Sequence, residues 1–142
     1  MSRSPIALRR HRGLTLIELM IVLAVVAILV KIAMPGYQEH IRKASRQAAQ
    51  AQLIELSAVQ EKIFLNSNAY SSSVSAAYTG ASTGGLGAST GKTSDNRYTL
   101  SVSVSGTSYT LTATPVASST QAADGALTIN AAGSRTWGSK TW

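Results

Sequence analysis

Leu14–Met34 reads LTLIELMIVLAVVAILVKIAM, and within it Leu19 to Val30 is an unbroken run of twelve apolar residues. Only Thr15, Glu18 and Lys31 are polar in the longer stretch. As a helix, its 21 residues span about 31 Å, close to the hydrocarbon thickness of a bilayer. A helix apolar on every side is buried in lipid or in protein, not laid on a wet surface. Arg3, Arg9, Arg10 and Arg12 precede it. By the positive-inside rule they place the N-terminus in the cytoplasm and everything after Met34 outside it.

Three readings fit such a segment. A cleaved secretory signal needs small residues after the apolar core, and Ala33-Met34-Pro35-Gly36 is a poor site. A plain signal anchor needs only charge and length. The third reading puts the boundary before the core, where Arg10-His11-Arg12-Gly13 meets Leu14-Thr15-Leu16-Ile17-Glu18. Glu18 discriminates between the last two. A carboxylate in a spanning segment costs about 2.5–3.5 kcal/mol at the centre, less near an end, and is usually retained for a partner. Glu18 lies one helical turn from the amine that a cut after Gly13 would create. Within one chain the two charges form an ion pair; between chains they set the register of packed helices.

Gly13-Leu14-Thr15-Leu16-Ile17-Glu18-Leu19-Met20-Ile21-Val22, followed by Met34-Pro35-Gly36-Tyr37, resembles the type IV prepilin signature. The resemblance implies a leader (residues 1–13) removed after Gly13 by a membrane peptidase that also N-methylates Leu14. It makes Glu18 the acid that meets a neighbour's N-terminus during assembly. Leu14 stands where Phe is usual, and Lys31 where small or apolar residues are usual. Lys31 sits near the outer end of the run, where its stem can snorkel to water.

The next 30 residues continue the helix. Proline removes a hydrogen bond and clashes with the preceding turn, so Pro35, with Gly36, is read as a helix break: an end of the spanning helix (14–36), or a bend or locally melting point in a helix reaching about Asn66. Residues 38–65 lack Gly and Pro, and Ala49, Leu53, Leu56, Val59 and Ile63 form one apolar stripe. Lys43, Gln47, Gln50 and Glu61 fall off the stripe and are expected wet. Arg42, Lys43 and Arg46 form a basic cluster suited to lipid headgroups before assembly. His40 is read as a surface or helix-contact residue, not as a ligand.

Composition changes at Asn66. The 77 residues from there to Trp142 hold 29 Ser and Thr but six charges: Lys92, Asp95, Arg97, Asp124, Arg135 and Lys140. Residues 67–97 read as a Ser/Gly-rich loop, either a flexible linker or a loop packed by Tyr70, Tyr78 and Leu86. Tyr98, Leu100, Val102 and Val104 then alternate with Thr99, Ser101, Ser103 and Ser105. Gly106-Thr107 makes a turn, and Tyr109, Leu111 and Ala113 repeat the apolar face as far as Pro115, which predicts a β-hairpin with one dry face. Leu127 and Ile129 mark a third strand. The predicted class is α+β: a long N-terminal helix whose second half (37–66) covers a small antiparallel sheet within residues 98–142.

This half is similar to the PilE-like minor-pilin branch of the same family, through Tyr98-Thr99-Leu100, Tyr109 to Pro115, Leu127-Thr128-Ile129 and Trp142. The resemblance implies two cysteines where Asp124 and Thr141 stand, and the chain has no Cys. A disulfide there would contribute about 2–4 kcal/mol. The C-terminal loop is therefore expected to be held by Trp137 or Trp142, and to fray more readily.

Net charge is +7 over 142 residues. The four leader arginines account for much of it, leaving 9 basic against 6 acidic groups, or +3. A nucleic-acid partner thus gains little support from charge, with Lys92, Arg97, Arg135 and Lys140 the residues for a tip patch. No Cys and two His leave no metal or cofactor site and no activated nucleophile, so an enzyme is not expected. The resemblance implies a structural subunit of a type IV pilus, with motility, adhesion or DNA uptake following from the machine. Its implied partners are other pilin subunits, the prepilin peptidase and methyltransferase, an inner-membrane assembly platform and, before assembly, lipid. It implies an inner-membrane precursor, single-pass with a periplasmic C-terminus, and an extracellular filament product. A type II secretion pseudopilin and a DNA-binding competence pilin are the alternatives.

Overall fold

A computed structural model describes residues 14–142. Helix α1 spans Leu16–Ser67. Thr15 caps it: its Oγ1 accepts from the Glu18 amide at 3.3 Å. Thr15-Leu16-Ile17-Glu18 is the sequence pattern of a capping box, and Glu18 puts a carboxylate in the first turn, where the helix dipole favours it. At the other end Asn68 adopts φ 51° and its amide reaches the Phe64 carbonyl at 2.7 Å. Asn tolerates this left-handed conformation better than most side chains. Pro35 lies inside the helix, so no helix end occurs at Pro35–Gly36. Proline forfeits only its own bond to the Lys31 carbonyl, and the strong helix formers on both sides carry the helix on.

The chain divides into two compact units, one ending at Tyr37 and one comprising Gln38–Trp142. In the first, every described residue is exposed. The second holds the core. Ser45, Ala49, Leu53, Leu56, Gln60 and Ile63 form the buried stripe of α1. Burying a leucine or isoleucine side chain contributes about 1.5–3 kcal/mol, and Leu53 and Ile63 are fully covered. Gln60 completes the stripe as a clasp. Its Nε2 donates to the Ser71 carbonyl at 2.7 Å and its Oε1 accepts from the Ser71 amide at 2.9 Å.

That clasp begins a loop that is packed, not a flexible linker. Val74 and Leu86 are buried in it, and Tyr70 stacks on Phe64 with centroids 4.6 Å apart and meets Tyr109 edge to face at 4.7 Å. Tyr78, expected to pack the loop, is exposed. Gly84 and Gly85 are buried, and a Cβ on Gly85 would overlap the backbone carbonyl of Ala76.

Five antiparallel strands follow in the order β1-β2-β3-β4-β5: Tyr98–Ser105, Ser108–Pro115, Leu127–Asn130, Arg135–Trp137 and Lys140–Thr141. The hairpin register runs from Tyr98↔Pro115 to Ser105↔Ser108. Gly106 takes φ 56° at the first turn position, which a two-residue hairpin turn requires. Tyr98, Leu100, Tyr109, Leu111, Ala113, Leu127 and Ile129 are buried on the dry face. On the other face Ser101, Thr112, Thr128, Thr136 and Thr141 align across all five strands. The C-terminal segment expected as a loop thus contains two short strands.

Candidate functional site

The apolar N-terminal half of α1 is exposed along its whole described length. Leu16, Ile17, Leu19, Met20 and Ile21 are 53–77 % exposed. Apolar surface of this extent marks a surface that meets lipid or other protein. Glu18 stands within it as an exposed side chain one turn from Leu14. Glu18 follows Leu14 by four residues in the sequence, and the cleavage position Gly13 lies outside the described residues.

The second site centres on Asp124, in the segment before β3. Asp124 is almost covered, its side chain 5 % exposed. Arg46 of α1 grips it with two nitrogens: Nε donates to Oδ2 at 2.7 Å and Nη2 donates to Oδ1. The Tyr98 hydroxyl donates to Oδ2 at 2.6 Å, and Gln121 Nε2 does so at 2.8 Å. Gln121 also donates to the Arg42 carbonyl at 3.1 Å. Burial by itself would raise the Asp124 pKa. The hydrogen bonds from Arg46, Tyr98 and Gln121 outweigh it and hold the carboxyl below its usual range. Reciprocally, the bond to Asp124 raises Arg46, and burial followed by the Asp124 contact raises Tyr98. The network ties α1, β1 and the segment before β3 together. Sequence reading treated Arg46 as part of a basic cluster and Asp124 only as a lost cysteine. The available signal was one acid in a long uncharged stretch.

Beside this network the two tryptophans hold the C-terminal hairpin. Trp137 Nε1 donates to the Asp124 carbonyl, and Trp142 Nε1 to the Thr136 carbonyl at 2.8 Å. The Arg46 guanidinium lies 3.6 Å from the Trp137 ring centre. Lys140 approaches the same ring at 5.2 Å, and Arg135 approaches Trp142 at 5.2 Å. Among the described residues, neither Arg135 nor Lys140 forms an ion pair. The four-residue tip patch is not assembled as expected. Arg135 and Lys140 share β4–β5, whereas Lys92 bridges Thr99 on the opposite edge of the sheet. Arg97 is engaged with Thr120 at 2.6 Å and lies 3.8 Å from Asp95. What the structure adds is a basic–aromatic cluster on β4–β5 that the sparse charges of the linear sequence concealed.

A family model described as type IV minor pilin ComP, DNA uptake sequence receptor, matches residues 35–128, 94 of the 142 residues. The chain belongs to this type IV minor pilin family. A model of the prokaryotic N-terminal methylation motif matches residues 8–33 of the pilin. Fimbrial protein EcpB of Eikenella corrodens is 57% identical over 35 residues, 25% of this chain and 22% of that protein. Prepilin peptidase-dependent protein D of Escherichia coli (strain K12) is 53% identical over 36 residues, 25% of each chain. The pilin thus aligns with about a quarter of the length of these curated relatives. The methylation motif and the exposed apolar helix fit membrane anchoring followed by assembly with other pilin subunits.

Proposed function

We propose that this pilin is a minor subunit of a type IV pilus whose globular part binds DNA during uptake. The match of residues 35–128 to a family described as a DNA uptake sequence receptor carries the reading. Arg135 and Lys140 support it, because exposed cations without carboxylate partners are available to phosphates. The adjoining Trp137 and Trp142 hold that cationic hairpin in place.

Assembly is the other half of the proposal. Cleavage after Gly13 frees the Leu14 amine, which is N-methylated, and Glu18 meets the amine of a neighbouring subunit as apolar helices bundle. Before that step the precursor crosses the inner membrane once, with its C-terminus in the periplasm, and engages the prepilin peptidase and the assembly platform. Local melting at Pro35–Gly36 accompanies packing into the filament. Twitching motility and adhesion are supported through the filament as a whole. A type II secretion pseudopilin shares this N-terminal chemistry, and the match over 35–128 favours the pilus.

A gel-shift of the globular part with duplex DNA at two salt concentrations tests the binding. A shift at low salt that weakens steeply with added salt is expected. No shift at low salt ends the DNA reading.

A further inference from the structure

Three cations follow the apolar span in the sequence, Arg42, Lys43 and Arg46, and folding withdraws two of them. Arg46 is held by Asp124 with its side chain 16 % exposed, and Arg42 pairs with Glu39 at 2.9 Å. Lys43 stays exposed and, among the described residues, forms no ion pair. The fold then brings other cations to this end of α1. Arg46 lies over the Trp137 ring, and Trp137 stands opposite Lys140 in the β4–β5 register. Arg135, two residues from Trp137, projects on the same side of β4 and lies 5.2 Å from the Trp142 ring. Arg135 and Lys140 are exposed, and the two indoles are half-buried. Trp137 and Trp142 are both of the chain's tryptophans.

Unpaired Lys and Arg beside indoles are the residue types of a membrane–water boundary, where a ring body meets apolar surroundings while its N–H and the nearby cations stay at headgroup level. The place of the hairpin in the chain points to the same surface. Arg46, which touches it, follows Tyr37 by nine residues, and Tyr37 closes the exposed apolar unit. Nine residues reach about 30 Å even when fully extended. While the apolar unit lies in a bilayer, this short tether keeps the hairpin close to the headgroups and makes the encounter intramolecular. The anion available there is the lipid phosphate.

We propose that in the membrane-anchored chain the β4–β5 hairpin seats on anionic phospholipid headgroups. Lys43, Arg135 and Lys140 meet the phosphates, and the two indoles lie at the boundary. Each cation near such a surface raises the docked population about five-fold. The contact uses one copy of the chain and leaves neighbouring helices free to pack in parallel. Nucleic-acid phosphates would draw on the same Arg135 and Lys140. Where the DNA reading above holds, docking therefore withholds these cations from DNA until the subunit leaves the bilayer.

The two tryptophans report the contact directly, because both lie in the hairpin. The full chain is reconstituted into vesicles of phosphatidylcholine, or of an equimolar mixture with phosphatidylglycerol, each containing a lipid with a nitroxide on its headgroup. In the mixed vesicles, tryptophan emission is expected to shift to the blue and to be quenched several-fold more than in the neutral ones. High salt should remove the difference, and so should Arg135→Glu combined with Lys140→Glu. Lys140→Glu alone should lower it more than Lys92→Glu, the same charge change on the opposite edge of the sheet. Equal quenching in the two kinds of vesicle, or quenching in mixed vesicles that survives the double charge reversal, overturns the proposal. Duplex DNA added to the chain in neutral vesicles tests the DNA reading separately; failure to bind there ends that reading and leaves the quenching result to stand by itself.

Discussion

Removing the Asp124 carboxylate leaves the largely covered Arg46 without its anion, and the size of the effect follows from the geometry. Asp124 accepts four hydrogen bonds, two of them from a cation, and its side chain is 5 % exposed against 16 % for Arg46. Truncating one partner of such a buried pair costs about 3–5 kcal/mol, mostly from the charge left behind. The lower end applies to Asp124→Ala, because Arg46 keeps its place over Trp137 and some access to water. A loss of about 3 kcal/mol in a domain this size lowers the melting temperature by roughly 12–24 °C. The assay is urea and thermal unfolding of residues 38–142, which contain the complete core. Arg46→Met combined with Asp124→Ala should cost less than the sum of the single changes, because the stranded charge is gone. The pH dependence has a definite sign. The folded Asp124 pKa lies below its ordinary value of 3.8, so its contribution is present above about pH 4 and is lost as pH falls through the folded value. Asp95, held low against its own burial by Thr93, Ser45 and Arg97, adds a slope of the same sign. The difference between wild type and Asp124→Asn isolates the Asp124 share. An Asp124→Ala domain within 1 kcal/mol of wild type, or one with an unchanged acid transition, would refute the argument that this network ties α1 to the sheet.

Three further outcomes are expected. Gly85→Ala forces a Cβ against the Ala76 carbonyl and should destabilise the loop by about 1–3 kcal/mol, read by urea unfolding with hydrogen exchange at residues 71–88. Arg135→Ala with Lys140→Ala should weaken DNA binding and flatten the dependence of log affinity on log salt by about two phosphate contacts, with unfolding unchanged as the control. Glu18→Ala should leave the chain in the membrane fraction but sharply reduce its amount in sheared pili, measured by immunoblot; normal incorporation would contradict the assembly role.

The elements legible in the sequence are those built on long periodic patterns. The stripe from Ala49 to Ile63 and the alternation from Tyr98 to Val104 appear on the covered faces where expected, with Val59, Val102 and Val104 half-buried, because both patterns repeat over several turns or pleats. Strands β4 and β5 are too short to display a period, and they are fixed by pairing with β3 and by the tryptophan contacts. Gln60 was invisible for another reason. A polar residue on an apolar stripe declares itself only when its partner is known, and Ser71 lies eleven residues away in a loop. The Arg46–Asp124 pair spans 78 residues, beyond any local rule. Of the two courses open at Pro35, an end or a helix continuing to about Asn66, the helix takes the second and runs to Ser67, because the strong helix formers on both sides outweigh one missing hydrogen bond. The basic patch was misplaced because strand order, not linear spacing, decides which cations meet.

Intact-mass analysis of the chain recovered from sheared pili tests the central claim most directly, that this pilin is processed and built into the filament. The account predicts a species that begins at Leu14 and carries one additional methyl group. Absence of the chain from purified pili, or its presence with residues 1–13 still attached, would contradict it.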